Sequence, residues 1–369
     1  MSGERVRRIA VLGAGNGGCA MAADLGRRGF DVRLYSRSEE TLRPIRERGG
    51  VAYAGVMGEG FTPISLVTNE IARTLEGAEL VILAAPMQAH EPIAAAAAPH
   101  LAPGQIFLAA PGHTLLLIPG ILRRAGIRRP VTCETSTLPY ACRMAGPATV
   151  QVSLEVKRLV FAAFPAEETE RAREVAAQAY PAVSPAGSIL ETVFLYMNAI
   201  HHPPATLGNV GRIEAAGDFY HYYEGISPSV GRHIDALDAE RRRVAEALNV
   251  RTEPFVEYFF RMGYTTEAAR ASGSAYEAFH QSEPDRWIKA PPGLDHRFLN
   301  EDVPYGLVPL SELGRLAGAP TPTMDALIHL ASVAMDRDYR AEGLTLERMG
   351  LEGIERAAFD RLIESGYPD

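Results

Sequence analysis

Asn198 and His202 stand four residues apart in the segment Met-Asn-Ala-Ile-His-His-Pro-Pro. Residues at this spacing share one face of a helix. A proline disfavours helical geometry in the residue before it, so we expect His202 at or just past the helix C-terminus, where the helix dipole favours a protonated imidazole. Such a histidine is the usual general acid or base near neutral pH. The alternative is that His201 and His202 only mark a helix end.

A catalytic histidine generally needs a carboxylate that orients its ring. Asp302 offers one, in the segment Arg-Phe-Leu-Asn-Glu-Asp-Val-Pro that begins at Arg297. Paired titratable groups mark functional sites only statistically. Whether His202 is catalytic or only marks a helix end therefore has to be judged from the strands and helices that the rest of the sequence predicts.

The composition is that of an ordinary globular protein. The chain has 369 residues, which suggests two domains, with 47% hydrophobic and 22% charged residues. A formal charge of −8 has the wrong sign for a nucleic-acid partner. The alanine run at 94–98 is far shorter than a membrane span, and glycines interrupt the N-terminal segment before a signal-peptide core forms. With three cysteines at no metal-ligand spacing, we expect a cytoplasmic protein with no membrane partner, no metal site and no disulfide framework.

Residues 8–18 carry the pattern G-x-G-x-x-G between a predicted strand and a predicted helix. In this pattern Gly13 allows a tight turn, Gly15 lets the backbone approach a pyrophosphate, and Gly18 allows the helix to pack closely on the strand. The free N–H groups at the start of the helix attract the phosphates. A second strand follows at 31–35, so the pattern predicts a dinucleotide site rather than a plain glycine-rich turn. We assign cofactor binding to Gly13, Gly15, Asn16, Gly17 and Gly18.

The residues after the second predicted strand usually determine which dinucleotide binds. An acidic residue there accepts a hydrogen bond from the ribose 2′-hydroxyl and repels a 2′-phosphate. This chain has Ser36 and Arg37 instead, and a hydroxyl with a guanidinium suits a phosphate. The sequence therefore favours NADP(H) over NAD(H). The alternative is that Arg37 is solvated and that Glu39 or Glu40 reaches back to the ribose.

Further apolar runs predict buried parallel strands of a doubly wound sheet. They lie at 80–85, 105–110, 131–133 and 159–163. Pro86 follows the first run, at the edge where ligands of an open parallel sheet lie, and we assign it to the cofactor cleft, although turn chemistry explains it equally well. Glu134, Thr135 and Arg143 follow another strand end and are candidates to face a substrate, although a loop arginine is more often solvated.

Strand patterns give way to helix patterns after a predicted hinge at 181–185. We therefore expect an α/β Rossmann domain at 1–184, followed by an all-α domain at 185–369 that carries the catalytic residues. Residues 227–248 predict a long amphipathic helix with a capping serine. Acidic residues flank its basic run at 241–243, which we interpret as a solvated, salt-bridged face. The apolar surfaces of the helical domain suggest a homodimer.

A catalytic lysine is missing from the place where rival dehydrogenases carry one. A dinucleotide domain followed by a helical domain also fits ketopantoate reductases, glycerol-3-phosphate dehydrogenases and 3-hydroxyacid dehydrogenases, which rely on a lysine early in the helical domain. The lysines of this chain are Lys157, just before a predicted strand, and Lys289, in a loop rich in proline and glycine. Asn198 and His202 occupy the first predicted helix instead.

With these residues in view, the chain resembles the octopine/nopaline (opine) dehydrogenase family over most of its length. The matching segments are 13–18, 134–143, Asn198-x-x-x-His202-Pro203, 208–214, 223–227 and Arg297-x-x-x-x-Asp302-Val-Pro. The resemblance implies that His202 and Asp302 form a proton-transfer dyad. It also implies that Asn198 helps to hold substrate and that Arg297 is a carboxylate clamp. The family's usual acidic residue after the second strand is absent, which puts NADH use in question but not the reaction class.

The implied reaction is the NAD(P)H-dependent reductive condensation of an α-keto acid, such as pyruvate, with the amino group of an amino acid. The amine attacks the keto carbon, water leaves to give an imine, and hydride from the nicotinamide reduces the imine. Protonated His202 can polarise the carbonyl and deliver the proton for dehydration, while Asp302 fixes its tautomer. Arg297 and Arg143 can bind the two carboxylates bidentately. The alternative is that Arg297 and Asp302 merely pair with each other.

Two other functions stay open on the sequence alone. One is a 2-keto acid or 3-hydroxy acid reductase that needs no amine, and the other is a non-catalytic NADP(H)-binding protein. His202 and Asp302 speak against the second. The sequence names neither the keto acid nor the amino donor, and it does not separate a metal-chelating product from a catabolic opine.

Overall fold

A computed structural model describes residues 5–368 of the chain. It divides into two compact units: the first runs to Val193 and takes in the C-terminal segment from Ala357, and the second runs from Phe194 to Arg356. The boundary expected after residue 184 falls inside a short strand of the first unit. The first unit is therefore built from both ends of the chain.

The first unit contains two sheets in its described part. The larger has eight strands in the order β12-β11-β8-β7-β6-β1-β2-β5, and the smaller has four in the order β4-β3-β10-β9. The strands are β1 (Arg8–Leu12), β2 (Asp31–Tyr35), β3 (Gly50–Gly55), β4 (Gly60–Pro63), β5 (Leu66–Thr68), β6 (Leu80–Leu83), β7 (Ile106–Ala109), β8 (Thr132–Thr135), β9 (Tyr140–Gly146), β10 (Thr149–Glu155), β11 (Leu159–Phe164) and β12 (Val183–Pro185).

The larger sheet has the doubly wound parallel arrangement that the sequence predicts. β1 pairs in parallel with β2 and β6, and β6, β7 and β8 continue in parallel on that side. β11, whose apolar run suggested another parallel strand, instead runs antiparallel to β8. A strand buried on both faces is a continuous apolar run in either direction, so composition did not reveal its orientation.

Helices of the first unit connect these strands. They are α1 (Asn16–Arg27), α2 (Glu39–Arg48), α3 (Ile71–Leu75), α4 (His90–Ala97), α5 (Leu117–Arg124) and α6 (Thr169–Ala179), with 3₁₀ turns at Met87–Ala89, Ala98–His100 and Ala166–Glu168. α1 is buried from Gly17 to Leu25 because its small residues allow close packing. The smaller sheet, which the sequence patterns did not reveal, packs against α1: the hydroxyl of Thr62 donates to the carbonyl of Ala23 at 2.9 Å.

The second unit is helical, as predicted. α7 (Ile189–Phe194) spans the division between the units. The helices that follow it are α8 (Asn198–Leu207), α9 (Val210–Glu214), α10 (Pro228–Ala247), α11 (Phe255–Arg261), α12 (Glu267–Ser272), α13 (Ala275–His280), α14 (Arg297–Asn300), α15 (Val308–Ala317), α16 (Pro322–Met335) and α17 (Tyr339–Glu342). A π-helical turn at Val303–Leu307 precedes α15.

The long helix expected at 227–248 is α10, whose N-terminus is capped by the side chain of Ser227. Its basic run is not a uniformly solvated face, because Arg241 is fully buried. The Arg241 guanidinium pairs with Asp238 at 2.6 Å and donates to the carbonyl of Phe194 at 2.7 Å. Only Arg242 and Arg243 of the run lie toward solvent. On the buried face of α10, the charge of Arg241 is therefore neutralised by the ion pair with Asp238.

The last helix, α18 (Arg356–Ser365), packs in the first unit. Its tail contributes Tyr367, whose ring lies 5.5 Å from that of Phe164, and the carbonyl of Pro368, which accepts from Arg123 at 2.8 Å. The helical domain expected at 185–369 thus loses its final segment to the dinucleotide unit. In the described part of the chain, no helix is long and apolar enough to cross a membrane.

Candidate active site

α8 carries both Asn198 and His202, but it does not end at the prolines. The helix runs on to Leu207 with Pro203 and Pro204 inside it, so the helix end expected at His202 is wrong. Every residue from Ala199 to Thr206 is buried. This burial stabilises the helix although the prolines remove two backbone donors. Asn198 is the first residue of α8 and is half-buried on the face that carries His202.

His202 and Asp302 are in direct contact within the second unit. Nδ1 of His202 lies 2.6 Å from Oδ2 of Asp302, and the two side chains are 6% and 0% exposed. The other oxygen of Asp302 accepts a hydrogen bond from the Tyr196 hydroxyl. Asp302 immediately precedes the π-helical turn, a type of distortion that is frequent at functional sites. The carboxylate therefore orients the ring through Nδ1 and leaves Nε2 for proton transfer.

Burial dominates the electrostatics of this pair. Burial raises the pKa of Asp302 to about 7, against the opposing effects of Arg297 and Tyr196. Burial also lowers the pKa of His202 well below its ordinary value, and the charge of Arg297 acts in the same direction. The expectation that a helix dipole favours a protonated His202 is wrong, because the residue lies inside a helix and away from water. Burial therefore disfavours both charged forms, the imidazolium and the carboxylate.

Aromatic rings fix the position of the His202 imidazole. The ring stacks on Phe298 with centroids 3.9 Å apart, and His201 meets it edge-on at 4.3 Å. Nε2 of His202 lies 2.8 Å from the hydroxyl of Tyr222. His201 belongs to an apolar cluster, with Nδ1 bonded to the carbonyl of Met197 at 2.8 Å. The two adjacent histidines therefore have different surroundings, and the one that contacts the carboxylate is His202.

Sequence reasoning missed Tyr196, Tyr222 and Phe298. Phe298 lies inside the matching segment that begins at Arg297, and Tyr222 directly precedes another matching segment, so position in the motifs was the available signal. Nothing in the spacing connects Tyr196 with Asp302, because the contact joins residues 106 positions apart.

Arg297 does not form the pair with Asp302 that was the alternative to a substrate clamp. Its Nε donates to Glu301 at 2.9 Å, and half of its side chain stays exposed. Burial alone would lower the pKa of Arg297, but the charges of Glu301 and Asp302 outweigh burial and raise it. The guanidinium is therefore a permanent positive charge close to the dyad.

Arg143, the other predicted carboxylate ligand, belongs to the first unit. It lies on β9 with an exposed side chain, and its Nη1 donates to the carbonyl of Cys142 at 2.9 Å. Unlike the exposed Arg143, Glu134 and Thr135 of the same matching segment are buried, in β8.

Glu134 is the centre of a buried polar cluster at the carboxyl edge of the sheet. It accepts a hydrogen bond from the hydroxyl of Thr192, and burial raises its pKa to about 7. The backbone of His113 also bonds to Glu134, while the ring Nε2 of His113 lies 2.8 Å from the carbonyl of Ser136. Burial lowers the pKa of His113 to about 4, so this imidazole is neutral near pH 7.

The glycine turn has the geometry that a dinucleotide requires. Gly13 has φ +129°, and a Cβ there would lie 2.2 Å from the carbonyl oxygen of Ala84. A Cβ on Gly18 would lie 1.8 Å from the carbonyl oxygen of Gly13, whereas a Cβ on Gly15 would meet nothing within 4 Å. Gly13 and Gly18 are thus required for packing, and the open side at Gly15 leaves room for a pyrophosphate beside the start of α1.

The other predicted cofactor residues surround this turn. Asn16 starts α1, and its side-chain oxygen accepts from the backbone N–H of Met144 at 2.8 Å, so it also ties the helix to β9. Gly17 packs closely on Leu138, since a Cβ there would lie 2.9 Å from that side chain. Pro86 follows β6 and starts a 3₁₀ turn.

Ser36 and Arg37 follow β2, just before α2. Arg37 is exposed, and the hydroxyl of Ser36 accepts from the backbone N–H of Ser38 at 3.2 Å. Glu39, one of the two residues that were alternatives for the ribose contact, instead pairs with Arg46. A guanidinium and a hydroxyl therefore occupy the end of β2. Within residues 5–368 no group of three or more His, Cys, Asp or Glu side chains is arranged to hold a metal ion.

A Rossmann unit with an open glycine turn and a helical unit with a buried histidine–aspartate pair together define a nicotinamide-dependent dehydrogenase. The family model for the alpha-helical domain of NAD/NADP octopine/nopaline dehydrogenase matches residues 185–335, and that for the N-terminus of NAD-dependent glycerol-3-phosphate dehydrogenase matches residues 8–116. An opine dehydrogenase of Arthrobacter sp. (strain 1C) is 34% identical over 97% of this chain and 99% of its own length. The chain therefore belongs to the NAD/NADP octopine/nopaline (opine) dehydrogenase family.

Solved structures share the fold. Octopine dehydrogenase with NADH and L-arginine superimposes with a TM-score of 0.81 at 20% identity, covering 98% of this chain and 99% of the other. Yersinopine dehydrogenase with NADP⁺ gives a TM-score of 0.73 at 16% identity over 98% of each chain. The protein is an NAD(P)-dependent oxidoreductase that acts on CH–NH bonds, and its reaction is the reductive condensation of a keto acid with an amino acid.

Proposed function

We propose that this enzyme uses His202 and Asp302 as its proton-transfer dyad and NADPH as its preferred reductant. The observation that carries the first part is the 2.6 Å contact between His202 Nδ1 and Asp302 Oδ2 in a buried site. A carboxylate on Nδ1 supports the positive charge that develops when the imidazole takes up a proton, and it leaves Nε2, the other ring nitrogen, for proton transfer. Within the second unit, Arg297 binds a substrate carboxylate and Asn198 adds a polar contact.

The dyad moves protons at two points of the condensation. The His202–Asp302 pair first takes a proton from the ammonium group of the amino acid, which gives the free amine. Attack of this amine on the keto carbon leaves an oxyanion and a protonated nitrogen, and a proton passes from that nitrogen to the oxygen to give the hydroxyl of the tetrahedral adduct. The pair then returns its proton to the hydroxyl, the C–O bond breaks, and water leaves as the protonated imine forms. When bound, the reduced nicotinamide supplies the hydride for the imine carbon. Burial of the pair keeps competing water away from these transfers.

A matrix assay tests this function. NADPH oxidation is followed with keto acids crossed with amino acids, including pyruvate, and the product is identified by mass spectrometry as a secondary amine. We expect no oxidation unless both a keto acid and an amine are present. Turnover at full rate without an amine would contradict the proposal and favour a 2-keto or 3-hydroxy acid reductase.

The preference for NADPH is supported by the exposed Arg37 beside Ser36 and by the engagement of Glu39 with Arg46. Arg37→Asp should raise the ratio of kcat/KM for NADH to that for NADPH by at least about tenfold, because a carboxylate repels a 2′-phosphate and accepts from a 2′-hydroxyl. Arg43→Ala, at another exposed arginine on α2, is the matched control. An unchanged ratio in Arg37→Asp would contradict the assignment.

We further propose that the enzyme is a cytoplasmic homodimer. The support is that Cys19, Cys133 and Cys142 are unpaired, as in a reducing compartment, and that Leu330 and Val333 expose 54% and 66% of their surface on α16. Sedimentation velocity of the wild type and of Val333→Glu tests the assembly. A wild-type monomer at micromolar concentration would contradict it.

A further inference from the structure

Tyr222 continues the hydrogen-bonded chain of the dyad beyond His202. The chain runs from the Tyr196 hydroxyl to Asp302, from Asp302 to Nδ1 of His202, and from Nε2 of His202 to the hydroxyl of Tyr222 at 2.8 Å. Both nitrogens of the imidazole are therefore engaged. The nitrogen that faces away from the carboxylate contacts a phenol.

The surrounding structure fixes the phenol in this position. Its ring stacks on Phe279 with centroids 5.3 Å apart and an interplanar angle of 9°, and only 5% of the residue is exposed. The backbone on both sides is tied down: His221 N–H donates to the carbonyl of Ile288 at 2.8 Å, and Ile226 N–H donates to the carbonyl of Tyr222 at 3.1 Å. A rigid segment thus holds the hydroxyl on Nε2.

The ring of His202 is shielded on its other sides. Phe298 covers one face, the edge contact with His201 covers another part, and 5% of the residue is exposed. The Tyr222 hydroxyl is therefore the group that a proton leaving Nε2 meets first on its way to a substrate. A phenol is suited to this position because it can donate to a neutral imidazole nitrogen and accept from a protonated one.

We propose that Tyr222 is a further proton-transfer residue, which takes the proton from Nε2 of His202 and passes its own hydroxyl proton to the oxygen that leaves as water. In this step the Nε2–H bond breaks and an O–H bond forms on Tyr222. The original Tyr222 O–H bond breaks, its proton joins the hydroxyl of the tetrahedral adduct, and the C–O bond of the adduct breaks. Tyr222 ends neutral and no electrons are transferred. The inference rests on the proposed role of the His202–Asp302 dyad.

The charged and titratable groups around this contact are compatible with a neutral phenol. Burial raises the pKa of Tyr222 well above its ordinary value, and Asp285 and Asp302 act in the same direction. The remaining groups that face Tyr222 or His202 are Arg297, His201, His221, His296 and Tyr264. Burial lowers the pKa of His221 to about 4 and also lowers that of His201, so both stay neutral over an assay range of pH 6 to 9.

The direction of the pH effect follows from the two states of Nε2. A hydrogen bond to a charged group contributes more than one to a neutral group, so loss of the phenol destabilises protonated His202 more than neutral His202. Loss of water from the adduct needs the protonated pair, and the rate of this step therefore falls as pH rises. In Tyr222→Phe this falling limb should move to lower pH by about half a unit to one unit.

The experiment compares Tyr222→Phe with Tyr223→Phe. Tyr223 is the next residue, and its ring packs on His280 and Arg286 rather than on the dyad. We expect Tyr222→Phe to lose about 10- to 100-fold in kcat with KM for the keto acid changed less than about threefold, and to show the shifted limb. Tyr223→Phe should retain the wild-type kcat and pH profile. Thermal unfolding of both variants checks that each is folded.

A second readout does not depend on the reaction. With ¹⁵N-labelled histidine, the Nε2 resonance of His202, assigned from its absence in His202→Ala, should shift in Tyr222→Phe and not in Tyr223→Phe. An unchanged Nε2 resonance would overturn the inference about Tyr222. This result does not depend on the oxidation assay, in which a wild type without amine-dependent oxidation would contradict the proposed function. A folded Tyr222→Phe with wild-type kcat, or with only a lower KM, would show that substrate displaces the phenol and would also overturn it.

Discussion

The two nitrogens of His202 have separate partners, and this separation is what makes the residue useful for proton transfer. Asp302 engages Nδ1 and has no exposed surface, so little water screens its interaction with the imidazole. Arg297, bound to Glu301, keeps a positive charge nearby without neutralising Asp302 through direct contact. Proton affinity at Nε2 is thus set by one buried carboxylate, one half-exposed arginine and one phenol.

Replacement of His202 should abolish proton transfer without affecting cofactor binding. We expect His202→Ala to lose at least about 10²-fold in kcat, because a general acid–base residue contributes on the order of 10²–10⁴-fold. The dissociation constant for NADPH, measured by fluorescence titration, should change little. The control is His201→Phe, which keeps an aromatic ring among Phe255, Phe259 and Phe279. Full turnover by His202→Ala would show that the dyad is misassigned.

Glu134 should make stability depend on pH. Its pKa is raised by burial from 4.5 to about 7 in the folded chain, so its contribution is fully present below its unfolded pKa and is lost as pH rises through 7. Relative to wild type, Glu134→Gln should gain unfolding free energy on the order of 3 kcal/mol between pH 5 and pH 8. Urea unfolding at both pH values measures this, with the exposed Glu40→Gln as control. A pH-independent difference between Glu134→Gln and wild type would refute the assignment.

At the scale of elements, local sequence rules succeeded for α1 and failed for α8. In the glycine pattern of α1, Gly18 packs on the backbone of Gly13 five positions earlier, so this part of its geometry follows from spacing. The end of α8 was expected at His202 from the rule for residues before proline. Burial of the whole stretch from Ala199 to Thr206 overrides that local preference.

Two glycine variants should separate packing from cofactor approach at the start of α1. Gly18→Ala places a Cβ against a backbone carbonyl oxygen, so we expect it to lose on the order of 1–3 kcal/mol or more of unfolding free energy. Gly15→Ala meets no atom within 4 Å and should keep its stability, but it should weaken NADPH binding at least about tenfold, because its methyl group occupies the space for the pyrophosphate. Urea midpoints and NADPH titrations measure the two effects. Equal loss of stability in both variants would contradict this division.

At the scale of the whole molecule, the C-terminal helix stabilises the unit that begins at the N-terminus. Phe359 of α18 is fully buried in the first unit, and Leu362 and Ile363 are 7% and 6% exposed. The hydrophobic core of the dinucleotide unit therefore includes side chains from α18.

Phe359→Ala should accordingly destabilise the unit that holds the cofactor. Loss of a buried phenylalanine costs about 3–5 kcal/mol of unfolding free energy, and saturation with NADPH at about 100 times its dissociation constant should recover about 2.7 kcal/mol by mass action. Thermal and urea unfolding with and without NADPH measure both changes. Arg361→Ala, at an exposed position of α18, serves as the control and should have little effect. If Phe359→Ala unfolds at the wild-type midpoint, the packing of α18 is misassigned.

The sequence by itself determined the Rossmann sheet, the glycine turn, the helical second half and the family to which the chain belongs. Each of these depends on a period, a turn or a motif whose residues are close together in the chain. The resemblance also singled out His202 and Asp302, and the structure places these two in contact.

Only the tertiary structure decided how the dyad is surrounded. It showed that Asp302 engages Nδ1, that Tyr196 and Tyr222 extend the hydrogen-bonded chain, and that Arg297 pairs with Glu301. It also decided the antiparallel direction of β11 and the placement of α18. The physical reason is that burial and hydrogen bonding at these positions depend on which distant segments pack together, and the contact between His202 and Asp302 already spans 100 residues.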